Sequence, residues 1–588
     1  KENRELESLS HIVAELQRLQ THGILEEELE EVRSEYLRFI DTQQRHSAQL
    51  DPSYFTDCAM DAFYEDLLLL DFDKATALKR NIAENLTLER VHSMLDAYAP
   101  IPNSHVCLAL PLAANADRIH QGELEAAWTS GIESAHTPPT RTPSPPLAPV
   151  ELPAGTVDME TETCPHTGAE TLTFSNGIRV TLYPMEDAPD HIRMKAMAKG
   201  GHACLSEPDS NAAVLANAWL AWAGIGGCRR QTLEKLLNGK EVSLERQIGA
   251  TKRSIKGQCK MEELDEFLGL LHLLFSYKEE DEELFYFVQQ RTAEFRKDLH
   301  RSPSRLFQYA VQALNSSGSP IMQELRTSDI LGCRYENVQE LAHAAFSRAA
   351  DFHFTFSGDF DPDLIKPLLA EYLGKLPTRD ESQRWAALSE EPQFPTHITT
   401  QSLEAGIDAK ARLQISFPAP KDFEHRSLVE RGLCAQILKK RLLQKLRFED
   451  GVTYSVGVGL QYFLRPLSDY GTMGISLVCA PEDIDAVERS IIEALNELIS
   501  EGCTESELEE VRQSWLIERA RERSYAQKAS NALTQYQMNH WDPSDHASVE
   551  DWAKELTLAD VKQHLAVLLP LDNYTVMRQV PEARTDGA

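Results

Sequence analysis

The side chains best placed for chemistry lie in Leu446-Arg447-Phe-Glu-Asp-Gly451-Val-Thr-Tyr454-Ser455. A helix from about Leu428 is expected to end near Arg447, Glu449-Asp450-Gly451 to turn, and Val452 to open a strand. Residues flanking such a turn can both point into a cleft. There a guanidinium and a phenol hydroxyl would donate hydrogen bonds to developing negative charge. The same residues also permit a structural role, with Arg447 paired to Glu449 or Asp450 and Tyr454 packed on a sheet.

Other reactive side chains are less suggestive. His202, beside Gly201 and near Glu207, reads as a solvent-facing loop residue, and His343 and His353 have no carboxylate at ligand spacing. Trp219 and Trp222, three apart on an apolar stretch, read as core. The acidic runs Glu26 to Glu31 and Glu279 to Glu283 read as solvated faces. No Ser-His-Asp arrangement, P-loop or G-x-G-x-x-G context occurs. The 10 cysteines form no C-x-x-C, which excludes a zinc-finger pattern and a dense disulfide scaffold. Most are expected to be buried as small hydrophobes.

A chain of 588 residues exceeds one hydrophobic core and implies several domains. The net charge of -33 argues against a nucleic-acid partner, because phosphate binding needs concentrated Lys and Arg. It permits cationic peptides. No apolar run reaches the length of a membrane span; the nearest, Leu67 to Leu70, is bounded by aspartates. The sequence opens on Lys1 and an amphipathic helix, without a signal-peptide pattern, so the start is expected to fall inside a domain.

An internal repeat supplies the reason. Glu-Leu-Glu-Glu-Val-Arg occurs at 28–33 and at 507–512, an offset of 479. At that offset Gly23 falls on Gly502, Leu16 on Leu495, Leu19 on Leu498, Ile12 on Ile491 and Tyr36 on Trp515. Both copies read as helix, glycine stop, helix. Thr504 and Glu507 form a capping-box signature. Further on, Leu86-Thr87-Leu88 matches Leu556-Thr557-Leu558 at an offset of 470, so the first copy carries an insertion of 9 residues (479 − 470). In the second copy the helices follow strand-rich sequence: Leu413, Ile415 and Phe417 alternate, Val452 to Gly459 is β-branched and glycine-rich, and Met473, Ile475 and Leu477 alternate again. The first copy has no such front, and its sheet is expected upstream of Lys1.

Between the copies, 7 prolines from Pro138 to Pro153 mark an extended linker. Phe174-Ser-Asn176-Gly177-Ile-Arg-Val180 then signals a hairpin. Ile192, Met194, Ala196 and Ala198 alternate up to Gly200-Gly201, a helical stretch runs from Ala212 to Trp222, and Phe352, Phe354 and Phe356 alternate as a strand. Asp361 caps a helix whose first position is Pro362 and which closes near Gly374.

With these motifs the chain resembles the pitrilysin/insulinase family of inverse zincins. The resemblance rests on the Asn176-Gly177 hairpin, on Leu233-Glu-Lys-Leu-Leu-Asn-Gly239-Lys-Glu-Val-Ser, and on Ser357-Gly358-Asp359 leading to Tyr372-Leu-Gly-Lys-Leu-Pro377. It covers nearly the whole chain and looks closest to the bacterial periplasmic-type branch. It implies an α+β fold of repeated domains, each a mostly antiparallel sheet covered by helices on one face. Residues 1–119 would be the helical end of a truncated second domain and 120–165 a proline-rich linker. Residues 166–390 would be an inactive peptidase-like domain, and 391–588 a C-terminal domain carrying Arg447 and Tyr454.

The family binds zinc through H-x-x-E-H, and none of the 19 histidines begins that pattern. At the corresponding helix Asn217 stands for the first ligand, Leu220 for the glutamate and Ala221 for the second ligand. Leucine cannot act as a base and alanine cannot ligate. The resemblance therefore implies a metalloendopeptidase whose zinc is held by an upstream domain absent from this chain. The partners it implies are an N-terminal half and peptide substrates. Arg447 would hold a substrate backbone carbonyl, and Tyr454 would stabilise the oxyanion or hold the peptide. The alternative is a non-catalytic scaffold or binding subunit.

Overall fold

The computed structural model describes residues 4–45, 47, 52–98, 104–108, 119–134, 137–138, 147–185, 191–238, 240–299, 302–377, 383–523 and 526–582. Gly239 of the Leu233–Ser243 motif and prolines 139, 143, 145 and 146 of the linker lie outside them. The chain divides into two compact units, residues 1–145 with 234–240 and residues 146–233 with 241–588.

The first unit is helical: α1 (Glu5–His22), α2 (Glu26–Arg45), α3 (Pro52–Tyr64), α4 (Phe72–Glu84), α5 (Leu88–Tyr98) and α6 (Gln121–Ser134). Gly23 ends α1 at φ 69°, its N–H bonding Leu19 O at 2.8 Å. Only a residue free to take positive φ closes a helix this way. Helix α6 falls inside the stretch expected as linker. The prolines begin only at Pro138; before them Glu-Leu-Glu-Ala-Ala-Trp favours helix, and Gly131 lets α6 approach α1 closely, where a Cβ would meet Ser10 O at 2.5 Å.

The second unit holds two sheets. Strands β1 (Met159–Thr163), β2 (Glu170–Phe174), β3 (Arg179–Pro184) and β4 (His191–Lys199) precede α7 (Glu207–Ala223) and α8 (Arg230–Leu236). Then come β5 (Ser243–Ile248), β6 (Lys252–Lys260), α9 (Leu264–Ser276), α10 (Glu282–Leu299), α11 (Pro303–Asn315), α12 (Thr327–Gly332), α13 (Tyr335–Phe346), β7 (Phe352–Gly358) and α14 (Pro362–Tyr372). The C-terminal part runs β8 (Thr399–Glu404), β9 (Ala411–Pro418), α15 (His425–Leu443), β10 (Val456–Tyr462), β11 (Gly471–Cys479), α16 (Ile484–Glu501), α17 (Glu505–Arg523), α18 (Ala526–Asn539), α19 (Asp545–Glu555), α20 (Leu558–Leu568) and β12 (Thr575–Val580).

The first sheet has the order β1-β2-β3-β7-β4-β6-β5 and the second β10-β11-β9-β12-β8. Reversed, the second matches the five strands β3-β7-β4-β6-β5, with one parallel pair at the same place in each, β3 with β7 and β8 with β12. All other pairs are antiparallel. The α+β class with repeated, mostly antiparallel sheets is thus observed. Strand β1, also drawn from the expected linker, extends the first sheet by pairing with β2. The core of the C-terminal domain forms where Leu413, Ile415, Phe417, Met473 and Ile475 meet Leu433, Ile437, Leu495 and Val561 of the helices. Helix α18 leaves that core and packs across β4 and β7 of the first sheet, Thr534 Oγ1 donating to Thr355 Oγ1 at 3.2 Å.

The repeat survives as bonding. Gly502 ends α16 at φ 82°, its N–H on Leu498 O at 2.9 Å, and Thr504 and Glu507 form the expected capping box. In the second copy Arg512 Nε donates to Ala553 O at 2.9 Å and its Nη2 to Leu556 O at 2.8 Å. In the first copy Arg33 donates from Nε to Ala83 O at 3.1 Å and from Nη2 to Leu86 O. Arg33 and Arg512 are related by the offset of 479, and their carbonyl acceptors by 470. Helices α5 and α20 coincide at the second offset.

Candidate functional site

Helix α15 does not end at Arg447 in α form. It widens into a π-helical turn, Gln444–Glu449, and Asp450 N donates to Lys445 O at 2.9 Å. Such a turn rotates the side chains that follow it. Leu446 is fully buried under the sheet, and Arg447 next to it faces outward. Gly451 at φ 68° reverses the chain, Val452 N bonds Leu446 O at 3.0 Å, and Thr453 Oγ1 donates to Val478 O at 2.8 Å. Strand β10 therefore begins at Val456, not at Val452, because residues 452–455 are used in closing this turn.

The turn brings Arg447 and Tyr454 together. The guanidinium carbon lies 4.3 Å from the centroid of the Tyr454 ring and 5.2 Å from that of Phe448. Tyr454 is 78% exposed and Phe448 64%. The two neighbouring carboxylates go elsewhere: Lys445 Nζ lies 3.6 Å from both Glu449 and Asp450, and Ser490 Oγ donates to Asp450. Both carboxylates raise the Lys445 pKa, Asp450 more than Glu449. Among the described residues Arg447 makes no ion pair, so its N–H groups are available to a ligand over an exposed aromatic face.

On α7, Asn217 Nδ2 donates to Ile248 O at 2.9 Å and accepts from Ile248 N through Oδ1 at 2.7 Å. Its amide thus pairs with the end of edge strand β5 as a neighbouring strand would. Leu220 is buried, and Ala221 is exposed on the same helix. Amide, leucine and methyl supply no anionic or imidazole donor, so this helix does not fit zinc. Among the described residues no group of three or more His, Cys, Asp or Glu could hold a metal ion.

Of the other candidates His353 and Trp219 are buried, whereas His202 and Trp222 are half-buried, so Trp222 is not the core residue expected. His353 Nε2 meets Thr181 Oγ1 at 2.8 Å, and burial lowers its pKa to about 3. Burial also holds the half-buried His202 and His546 near about 4. Trp219 is core, its Nε1 donating to Asp281 O. The acidic run at 279–283 is solvated as expected at Glu280, Glu282 and Glu283, but not at Glu279. Glu279 is buried and accepts from Gly226 N at 2.8 Å and Gly227 N at 3.0 Å, with Arg246 at 3.6 Å; burial raises its pKa against the pull of Arg246. Consecutive amides in the turn after α7 need an acceptor, a demand invisible in the acidic run itself. Two of the motifs that carried the resemblance meet directly: Asn176 Nδ2 donates to Leu373 O, Gly374 O and Leu376 O at 2.9, 3.0 and 3.1 Å.

Comparison with known proteins agrees with this architecture. The chain is 20% identical over 591 aligned positions to the probable zinc protease PqqL of Escherichia coli K12, covering 96% of this chain and 60% of that protein. It is 23% identical over 365 residues to a PqqL-like zinc protease of Arabidopsis thaliana, covering 58% of this chain and 35% of that one. The chain therefore spans less than two thirds of either relative. The crystal structure of the periplasmic protease PqqL from Escherichia coli superposes with a TM-score of 0.67 at 16% identity, over 99% of this chain and 64% of that one. The ferredoxin protease FusC, solved in complex with Arabidopsis ferredoxin, gives 0.68 at 16% identity, over 98% and 63%. A peptidase M16 inactive domain from Pseudomonas fluorescens gives 0.61 at 15% identity over 72% of this chain and 98% of its own. Residues 334–514 match the family model described as the peptidase M16 inactive domain. The chain is thus similar to zinc proteases of the M16 type, and its residues 334–514 match the M16 inactive domain.

Proposed function

We propose that this chain is the zinc-free C-terminal part of a zinc metalloendopeptidase that degrades peptides. In this reading residues 166–390 and 391–588 form half of a substrate chamber, and residues 1–119 close a domain whose sheet lies upstream. Zinc would be bound in that upstream half, supplying Lewis-acid activation of water. Exposed apolar side chains on and beside α3 (Phe55, Phe63, Tyr64 and Leu68) support a partner surface there. The periplasmic relative suggests the same compartment.

The observation that carries the reading is the Arg447–Tyr454 stack. The guanidinium is free of the neighbouring acids and rests on an exposed phenol ring. Arg447 donates to a substrate carbonyl, and the Tyr454 hydroxyl donates to the oxygen that gains negative charge. Loss of one such donor costs on the order of ten- to a thousandfold in turnover. The test is cleavage of an unstructured peptide by this chain joined with its N-terminal half, comparing wild type, Arg447→Ala and Tyr454→Phe. Unchanged turnover in both variants refutes the assigned roles. Chelator-sensitive cleavage by this chain alone refutes the zinc-free reading.

A second reading, a non-catalytic scaffold, is favoured by the decayed Asn217, Leu220 and Ala221 positions. It requires that the N-terminal half also lack a complete H-x-x-E-H.

A further inference from the structure

The face of the first sheet that α18 crosses at β4 and β7 carries an electrostatic anomaly along β6 and at the end of β4. On β4 the side chains of Ile192, Met194, Ala196 and Ala198 point into the core, so Arg193, Lys195 and Lys199 share the other face. On β6 the same alternation puts Lys252 and Lys256 there. The register sets Lys195 directly opposite Lys256 and Lys199 directly opposite Lys252. Opposed residues in an antiparallel pair have Cβ atoms only about 5 Å apart, and like charges so placed destabilise the sheet.

Little compensates them. Glu245 of β5 reaches Lys256 at 2.9 Å, but both side chains are largely exposed, so the pair is solvent-screened. Lys195 Nζ is held by Asn531 of α18, a neutral partner. Among the described residues Lys199 and Lys252 make no ion pair. Burial, then Lys252 and Lys256, depress the Lys195 pKa, as expected where cations crowd. A chain of net charge -33 thus keeps two lysine rungs on one sheet face, one paired only by an exposed glutamate and one with no ion pair among the described residues.

We propose that this face binds an acidic, extended segment of polypeptide, whose carboxylates neutralise the two rungs. Alternate residues of a strand lie about 7 Å apart and every fourth about 13 Å. An extended segment with acidic side chains at i and i+4 therefore matches the separation of Lys252 and Lys256 on β6, beside the strands that α18 crosses. The inference deepens the proposed peptidase reading, because it makes this face a chamber wall that selects acidic substrates.

The probe is a fluorescein-labelled peptide of about twelve alternating Glu and Thr residues, long enough to cross both rungs, with a Gln-for-Glu twin. Anisotropy with this chain is expected to give about tenfold or tighter affinity for the Glu peptide at low salt, falling steeply as salt rises, with the Gln twin weak and nearly salt-independent. The variant Lys199→Gln/Lys252→Gln is expected to remove most of the difference while its Tm stays level or rises, since a repulsion is relieved. Lys554→Gln, on α19, serves as the control and is expected to bind as wild type. Equal binding of the two peptides, salt-independent binding, an unchanged double variant, or preference for an oligothymidylate competitor would each overturn the proposal. The salt titration on the wild-type chain decides even if the double variant does not fold. The two readings fail separately: equal or salt-independent binding of the two peptides refutes this face alone, whereas unchanged turnover in Arg447→Ala and Tyr454→Phe of the joined halves refutes the peptidase assignment alone.

Discussion

Replacing Asn217 by alanine is expected to loosen the end of β5 locally. Two hydrogen bonds to Ile248 disappear, at 2.9 and 2.7 Å, and Ile248 is 1% exposed. Each intramolecular hydrogen bond contributes about 1 kcal/mol net, and each buried backbone group left unpaired costs about 1–3 kcal/mol. Partial hydration of the vacated space brings the expected loss to about 2–4 kcal/mol, within the range of a broken buried network. In a chain with two units a single global unfolding free energy is ill-defined. Amide exchange of Ile248 is the suitable readout, since it reports local opening. A loss of 2–4 kcal/mol corresponds to exchange roughly thirty- to a thousandfold faster, at about 1.4 kcal/mol per factor of ten. Asn217→Asp retains the acceptor but places a carboxylate against Ile248 O, and is expected to be no better than alanine. Unchanged protection in Asn217→Ala would refute the argument that this side chain has become a structural fastener.

Arg512→Ala should free the ends of α19 and α20 from α17 and lower the denaturation midpoint of the second unit. Two charge-assisted bonds to carbonyls are lost, about 3 kcal/mol in all, and Arg512→Lys should rescue little because one ammonium lacks the fork that reaches both acceptors. A second expectation concerns pH. His353 is neutral in the fold with a pKa of about 3 against an ordinary 6.5, so the unfolded chain binds the extra proton. Stability from this residue is complete above pH 6.5 and declines as pH falls towards 3, by at most about 1.4 kcal/mol per pH unit. His202 and His546 act in the same direction. Melting temperature followed from pH 7 to pH 4 should fall less steeply in His353→Asn, and parallel curves would refute the assignment.

The features legible in the sequence were those fixed by short-range chemistry. The Asn176-Gly177 hairpin, the Asp361 cap and the Thr504 capping box depend on residues within a few positions of each other, and the two offsets of the repeat are read by direct comparison of the sequence with itself. The features that escaped depend on tertiary partners. Glu279 is buried because the turn after α7 presents two amides to it. Arg447 loses its neighbouring carboxylates because the π-turn swings Lys445 towards them. The lysine rungs need the register of β4 against β6, which alternation within either strand does not specify. Proline content located the linker only from Pro138 onward, so α6 and β1 at its flanks were missed.

The paired arginines also bear on how far such copies can drift apart. Arg33 and Arg512 grip backbone carbonyls, which every residue type supplies. The bond itself therefore makes no demand on the acceptor's side chain, and the nine inserted residues can lengthen the intervening chain without breaking the closure. What this closure requires is one guanidinium at one helical position. Divergence can then erase nearly all identity while the bundle keeps its shape, and the arginine is the residue by which a further worn-down copy should be sought.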